Sequence, residues 1–157
     1  GLRIGELLGL TPADFDFEEK VIHIRKAYTK YGFGPTKTEK GNRDVVMPDT
    51  VADEIKDYIE SIYGLADDDR IFTRSAGFYR HELERGAKEG GVKRLSPHEL
   101  RHSHITYLVS QGFDPTVIGD RVGHESISIT LQYAHPMAER QKEMSQLLNT
   151  EREAMNE

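Results

Sequence analysis

The stretch Ser96-Pro97-His98-Glu99-Leu100-Arg101-His102 decides how the rest of the chain is read. Serine followed by proline marks a helix start. The serine hydroxyl can accept from a backbone N–H of the first turn, and proline sacrifices an N–H that has no partner there. On such a helix His98 and Arg101 stand three apart and share a face, close to an N-terminus whose N–H groups and dipole favour an anion. A bound phosphate suits that position, and so does a polar helix start with a capping histidine. The same residues spell His-Glu-x-x-His at His98, Glu99 and His102, the zinc-peptidase signature. The extended form of that motif asks for glycine at 105 and histidine at 108, where this chain has Ile105 and Leu108. A third ligand elsewhere, such as Glu125, stays open on sequence grounds.

Toward the C-terminus, Asp114-Pro115 repeats the helix-start signal. It is followed by Val122-Gly123-His124-Glu125-Ser126. Glycine there can end a helix and let the next histidine approach a ligand or pack into the loop. Nine residues on comes Tyr133, on a short helix expected over residues 126–134. Its apolar stripe reads Ile127, Leu131 and Ala134. At about 100° per residue Tyr133 stands roughly a quarter-turn or more away from that stripe. Packing on its own helix therefore does not account for it, and a surface tyrosine and a reactive one both fit. A last helix is expected after Pro136, with Met144, Leu147 and Leu148 as a small apolar patch.

Toward the N-terminus, Ser75 opens a helix that ends near Gly90-Gly91. Asp49 caps another that runs to about Tyr63, with Val51, Ile55, Ile59 and Ile62 on one face. Before these lie short alternating runs: Phe15 and Phe17, then Val21, Ile22 and Ile24, then residues 43–47. They predict a small antiparallel sheet of about three strands, with Gly32 and Gly34-Pro35 as a loop and a polar turn at 39–42. Leu2, Ile4, Leu7, Leu8 and Leu10 read as the latter part of a buried helix with no N-cap before it, so the chain is expected to begin inside a larger protein. The fold class is α+β: one mostly helical domain over residues 1–157 with a small three-stranded antiparallel sheet.

At 157 residues the chain suits one domain with its own core. Its 36% apolar and 31% charged residues are those of a folded globular chain and not of a disordered one. No apolar run approaches the roughly 20 residues that span a bilayer, and Arg3 and Glu6 interrupt any secretory-signal pattern at the start. Cysteine is absent, which excludes disulfides and thiolate metal sites. The net charge of −6 sits awkwardly with a nucleic-acid partner until it is located. Residues 49–70 hold eight acids and two bases and alone carry −6; residues 20–48 hold seven bases and two acids. Attraction to phosphate depends on the local face and not on the total.

In order along the chain, these segments resemble the catalytic domain of tyrosine recombinases, the phage-integrase family. Gly1-Leu2-Arg3-Ile4-Gly5-Glu6-Leu7-Leu8 is similar to the family's first arginine box. Thr36-Lys37-Thr38 with Arg43-Asp44-Val45-Val46-Met47-Pro48 resembles its β-hairpin lysine segment, and residues 96–135 resemble its His-x-x-Arg, Gly-His and tyrosine signature. Val122 stands where leucine is common. The resemblance implies an active site of Arg3, Lys37, His98, Arg101, His124 and the nucleophile Tyr133, with Lys40 a less favoured substitute for Lys37. It implies no metal and no cofactor. The expected partner is double-stranded DNA, bound by a homotetramer whose contacts involve residues after Pro136. The separate core-binding domain of the family is not among these residues, and the expected location is the cytoplasm, at the nucleoid. The expected activity is integration or excision of a phage or conjugative element, as the run Ser126-Ile127-Ser128-Ile129-Thr130 before Tyr133 favours. Alternatives are a chromosome-dimer-resolving recombinase, a non-catalytic DNA-binding relative, and the zinc peptidase, which leaves Arg3, Lys37 and Tyr133 without roles.

Overall fold

The computed structural model describes residues 1–132 together with 145 and 146. Helix α1 (Ile4–Leu8) opens it, with Arg3 in extended backbone at the N-cap and the Glu6 carboxylate accepting from the Arg3 backbone N–H. The expectation of a longer helix entered midway is thus corrected. The helix begins inside the chain, and its cap is an arginine–glutamate box that a search for Ser, Thr, Asp or Asn does not find.

Strands β1 (Phe15–Asp16), β2 (Val21–Ile24), β3 (Lys26–Thr29), β4 (Gly32–Pro35) and β5 (Arg43–Val46) follow. The expected three-stranded antiparallel sheet is present in the order β1-β2-β5, with Ile22 opposite both Phe15 and Val45. The expected loop at Gly32 and Gly34-Pro35 is instead half of a separate hairpin, β3 against β4. Its two-residue connection, Lys30 and Tyr31, needs a positive φ just after it, and Gly32 supplies one at +99°. Tyr28 and Phe33 face each other across it, edge to face at 5.3 Å. Glycine and proline read as breakers here because the pairing that overrides them is cross-strand and invisible to local pattern.

Helix α2 (Asp49–Ser61) begins one residue after Pro48, which occupies the N-cap; Asp49 is the first helical residue and not the cap, and its carboxylate accepts from Lys20 Nζ at 2.7 Å. An acid in the first turn still complements the helix dipole. Helices α3 (Ala76–Glu89), α4 (Pro97–Ser110) and α5 (Pro115–Val122) start at Ser75, Ser96 and Asp114 as expected, each cap side chain accepting a backbone N–H of the first turn. Helix α6 (Ile127–Leu131) is short.

Two apolar clusters hold the domain. Leu10, Ile24 and Ile71 join the sheet to the loops beside α2, and Ile105, Ile118 and Val122 join α4 to α5. Burying side chains of this size stabilises by about 1.5–3 kcal/mol each. The second cluster packs α4, the helix that carries the His98 box, against α5, the helix that leads into His124.

Candidate active site

Arg101 lies in the second turn of α4 and is only 4% exposed. Its guanidinium reaches two backbone carbonyls far away in sequence: Nη1 donates to Gly1 O at 2.7 Å and Nη2 to Val122 O at 2.6 Å. Arg3 approaches the same turn from the other side, its Nη2 donating to Gly123 O at 2.7 Å. The two arginines, 98 residues apart in the chain, thus hold successive carbonyls at the end of α5. The next residue is His124, 7% exposed, with Nδ1 2.9 Å from the Thr130 hydroxyl. Burial, and then the charges of Arg101, Arg3, His102 and Arg43, push the imidazole pKa down to about 4, so the ring is neutral at pH 7.

Glycine at 123 is required by geometry. It caps α5 in the left-handed region, φ +71°, and a Cβ there would lie 2.8 Å from Lys40 O and 2.9 Å from Arg43 Nη1. This close approach seats the β4–β5 connection directly against the His124 turn. Lys37 is on that connection, exposed, in a bend just before a 3-10 turn (Glu39–Gly41). The structure therefore brings its backbone segment to the site, while among the described residues its ammonium makes no hydrogen bond to the other expected site residues.

His98 is exposed in the first turn of α4, its ring edge-to-face with His102 at 4.2 Å. Burial, and then the charges of His98 and Arg101, lower the pKa of His102. Glu99 is engaged in a capping box, its Oε2 accepting from the Ser96 backbone N–H at 2.7 Å. Among the described residues no three His, Cys, Asp or Glu side chains converge as a metal would need. The His-Glu-x-x-His reading therefore has its glutamate in a structural role, although its two histidines do stand together. Tyr133 and the expected patch at Met144, Leu147 and Leu148 lie outside the described residues.

Sequence reading missed three residues that build this site. Glu6 is 1% exposed and each of its carboxylate oxygens accepts twice: Oε1 from Arg3 Nη1 and Arg43 Nη1, at 2.8 and 3.1 Å, and Oε2 from Arg3 N and Arg43 Nη2, both at 2.9 Å. Burial alone would raise the Glu6 pKa, but the hydrogen bonds from Arg43 and Arg3 outweigh it and hold the carboxyl below its ordinary range. Arg43 also donates to Gly41 O and Arg121 O, tying α1, the Lys37 segment and the end of α5 into one network. The available signal was a glutamate in an otherwise apolar helix, three residues after an arginine. Thr130 is the third. Of the stripe expected to anchor α6, Ile127 and Leu131 are about half exposed and Ala134 lies outside the described residues; Thr130 is the buried residue among those described. The helix docks through its polar contact to His124 and through Gly119, whose missing side chain leaves room for the Thr130 hydroxyl.

The comparisons with known proteins follow the same outline. The model of the phage integrase family matches residues 1–140. The tyrosine recombinase XerA of Thermococcus kodakarensis is 33% identical over 145 residues, which cover 85% of this chain and 46% of that protein. XerC of Bifidobacterium longum is 31% identical over 153 residues, covering 90% and 42%. Among solved structures, the Tn1549 transposon integrase in complex with circular intermediate DNA superposes with a TM-score of 0.77 at 29% identity, over 92% of this chain and 55% of that one. The XerA recombinase crystal structure shares the fold, with a TM-score of 0.69 at 24% identity over 93% of this chain and 51% of that one. The chain spans about half the length of the curated relatives it matches. With 140 consecutive residues matched and the two arginines meeting at the Gly-His turn, this chain belongs to the phage integrase family.

Proposed function

We propose that this chain is the catalytic domain of a site-specific tyrosine recombinase that breaks and rejoins double-stranded DNA of a mobile element. The observation that carries the reading is the convergence of Arg3 and Arg101 on the turn that presents His124. A DNA phosphodiester resists attack because its non-bridging oxygens are negative, and charge on them grows as phosphorus becomes five-coordinate. Two fixed guanidinium groups and an imidazole N–H gathered at one turn stabilise that charge. Arginine keeps its proton throughout.

Tyr133 is the nucleophile in this reading. Its oxygen bonds to phosphorus as the bond to the 5′ oxygen breaks, leaving a 3′-phosphotyrosine. A phenol has a pKa near 10, so its proton must go to a base, and exposed His98 takes it. The leaving 5′ oxygen receives a proton from Lys37, whose segment is pinned beside Gly123. The 5′ hydroxyl of a second strand then attacks the phosphotyrosine, restoring a phosphodiester and freeing the tyrosine. The similarity to a transposon integrase supports a mobile element as the source of the DNA. A homotetramer on DNA belongs to the same reading, with the segment after Pro136 joining the copies; a chain truncated there that still assembles cooperatively on DNA removes that contact.

The deciding experiment is covalent trapping on a nicked substrate whose cleaved end diffuses away. Wild-type protein accumulates a protein–DNA adduct and Tyr133→Phe forms none. An adduct that persists in Tyr133→Phe refutes the assignment.

A further inference from the structure

We propose that Thr130 is the positioning residue of His124: its hydroxyl donates to Nδ1 and keeps the ring proton on Nε2, so that His124 meets the scissile phosphate as a hydrogen-bond donor and not as a base. The proposal rests on the function assigned above. Thr130 is 0% exposed and its Oγ1 stands 2.9 Å from His124 Nδ1. Distance alone leaves the direction of that bond open, because the hydroxyl can give or accept.

The surroundings decide it. A fully buried hydroxyl has one proton and no water to receive it. A helical hydroxyl can also donate to the carbonyl four residues back, as Ser103 does to Glu99 O at 2.9 Å. Thr130 makes no such bond; among the described residues its hydroxyl bonds only to His124 Nδ1. Were Nδ1–H the donor, the hydroxyl proton would be buried without an acceptor, and an unmade bond costs the full desolvation of that group. The hydroxyl therefore donates and Nδ1 accepts.

The ring carries a single proton, since burial and the adjoining arginines hold it neutral. With Nδ1 accepting, that proton sits on Nε2. Both partners are rigidly placed. The His124 backbone N–H donates to Gly119 O at 2.9 Å, and a Cβ on Gly119 would come within 3.2 Å of Thr130 Oγ1. Threonine's branched side chain has few rotamers. A donor on the turn that Arg3 and Arg101 hold adds to their stabilisation of the developing oxyanion, and base catalysis is left to His98.

The tautomer is read directly by ¹⁵N NMR of histidine-labelled wild-type protein, with His124 identified among the seven histidines by its loss in His124→Ala. The expected result is a protonated Nε2 and an unprotonated, hydrogen-bonded Nδ1; a protonated Nδ1 overturns the proposal whatever the variants do. In single-turnover cleavage, Thr130→Val slows the chemical step about tenfold or more, the scale on which losing a histidine's orienting partner is felt, with DNA affinity unchanged. Thr130→Ser, which keeps the hydroxyl, restores the rate. Equal rates for Thr130→Val and wild type, beside a crippled His124→Ala, overturn the proposal alone. A His124→Ala variant that cleaves at the wild-type rate overturns the catalytic reading of His124 and the proposal with it.

Discussion

Replacing Glu6 by glutamine tests whether the buried carboxylate organises the site. The substitution preserves shape and removes one charge. Each Glu6 oxygen accepts from both Arg3 and Arg43. A glutamine must turn its NH2 toward one of those two pairs of donors, losing two charge-assisted hydrogen bonds and leaving the buried Arg43 without a full counter-charge. Hydrogen bonds to charged groups contribute about 1.5–3 kcal/mol each, and breaking a buried ion pair from one side costs about 3–5 kcal/mol. These describe the same loss, so the expected destabilisation is about 3–5 kcal/mol, a large part of the ~5–15 kcal/mol that holds a domain folded. Urea unfolding followed by circular dichroism at pH 7 measures it. The pH dependence supplies an independent check. The Glu6 pKa is lowered in the fold, so its contribution is present above the ordinary carboxylate range and is lost as pH falls through the folded pKa. The gap between wild type and Glu6→Gln should therefore narrow in acid. A loss below about 1 kcal/mol, or a gap that stays constant from neutral pH into acid, refutes the reasoning.

Other outcomes follow from the same geometry. Gly123→Ala places a Cβ against Lys40 O and Arg43 in a left-handed conformation, so it should cost about 1–3 kcal/mol and slow cleavage by moving His124; wild-type stability and rate would contradict the close approach. Lys37→Ala should slow cleavage by about 10²–10⁴-fold on ordinary DNA but not on DNA whose leaving 5′ oxygen is replaced by sulfur, because a thiolate departs without a proton. A defect of equal size on both substrates removes the general-acid role. His124 and His104 both have pKa values lowered to about 4, in each case first by burial. Their unfolded values lie near 6.5, so the unfolded chain binds more protons between those limits and stability falls as pH drops from about 6.5 toward 4. For well-buried His124 the loss is roughly 3 kcal/mol; unfolding midpoints that do not move over that window in wild type, or that move equally in His124→Gln, contradict it.

Much of the outline was legible in the chain because its signals are local. Ser75, Ser96-Pro97 and Asp114-Pro115 announce helix starts through hydrogen bonds made within one turn, and alternation in Val21–Ile24 announces a strand. The order of the arginine, lysine, histidine and tyrosine segments pointed to the family that the comparison then showed. Local rules failed where distant residues decided: the Gly-Pro stretch that pairs as β4, Asp49, whose carboxylate accepts from Lys20 and does not cap α2, and α6, where Thr130 is buried against His124 while Ile127 and Leu131 are half exposed.

What the sequence by itself determined was the set of reactive residue types and the helices that carry several of them, because capping and periodicity are properties of neighbours. What only the tertiary structure decided is how Arg3, Arg101 and His124 come to meet at the turn that ends α5. That meeting depends on hydrogen bonds spanning 100 residues or more, from Arg101 to Gly1 and from Arg3 to Gly123, and on Glu6 and Arg43, buried together where each neutralises the other. No local pattern encodes such contacts. They exist because burying a charge is tolerable only beside its partner, and that partner is chosen by the packing of α4 on α5 and of α5 on β5.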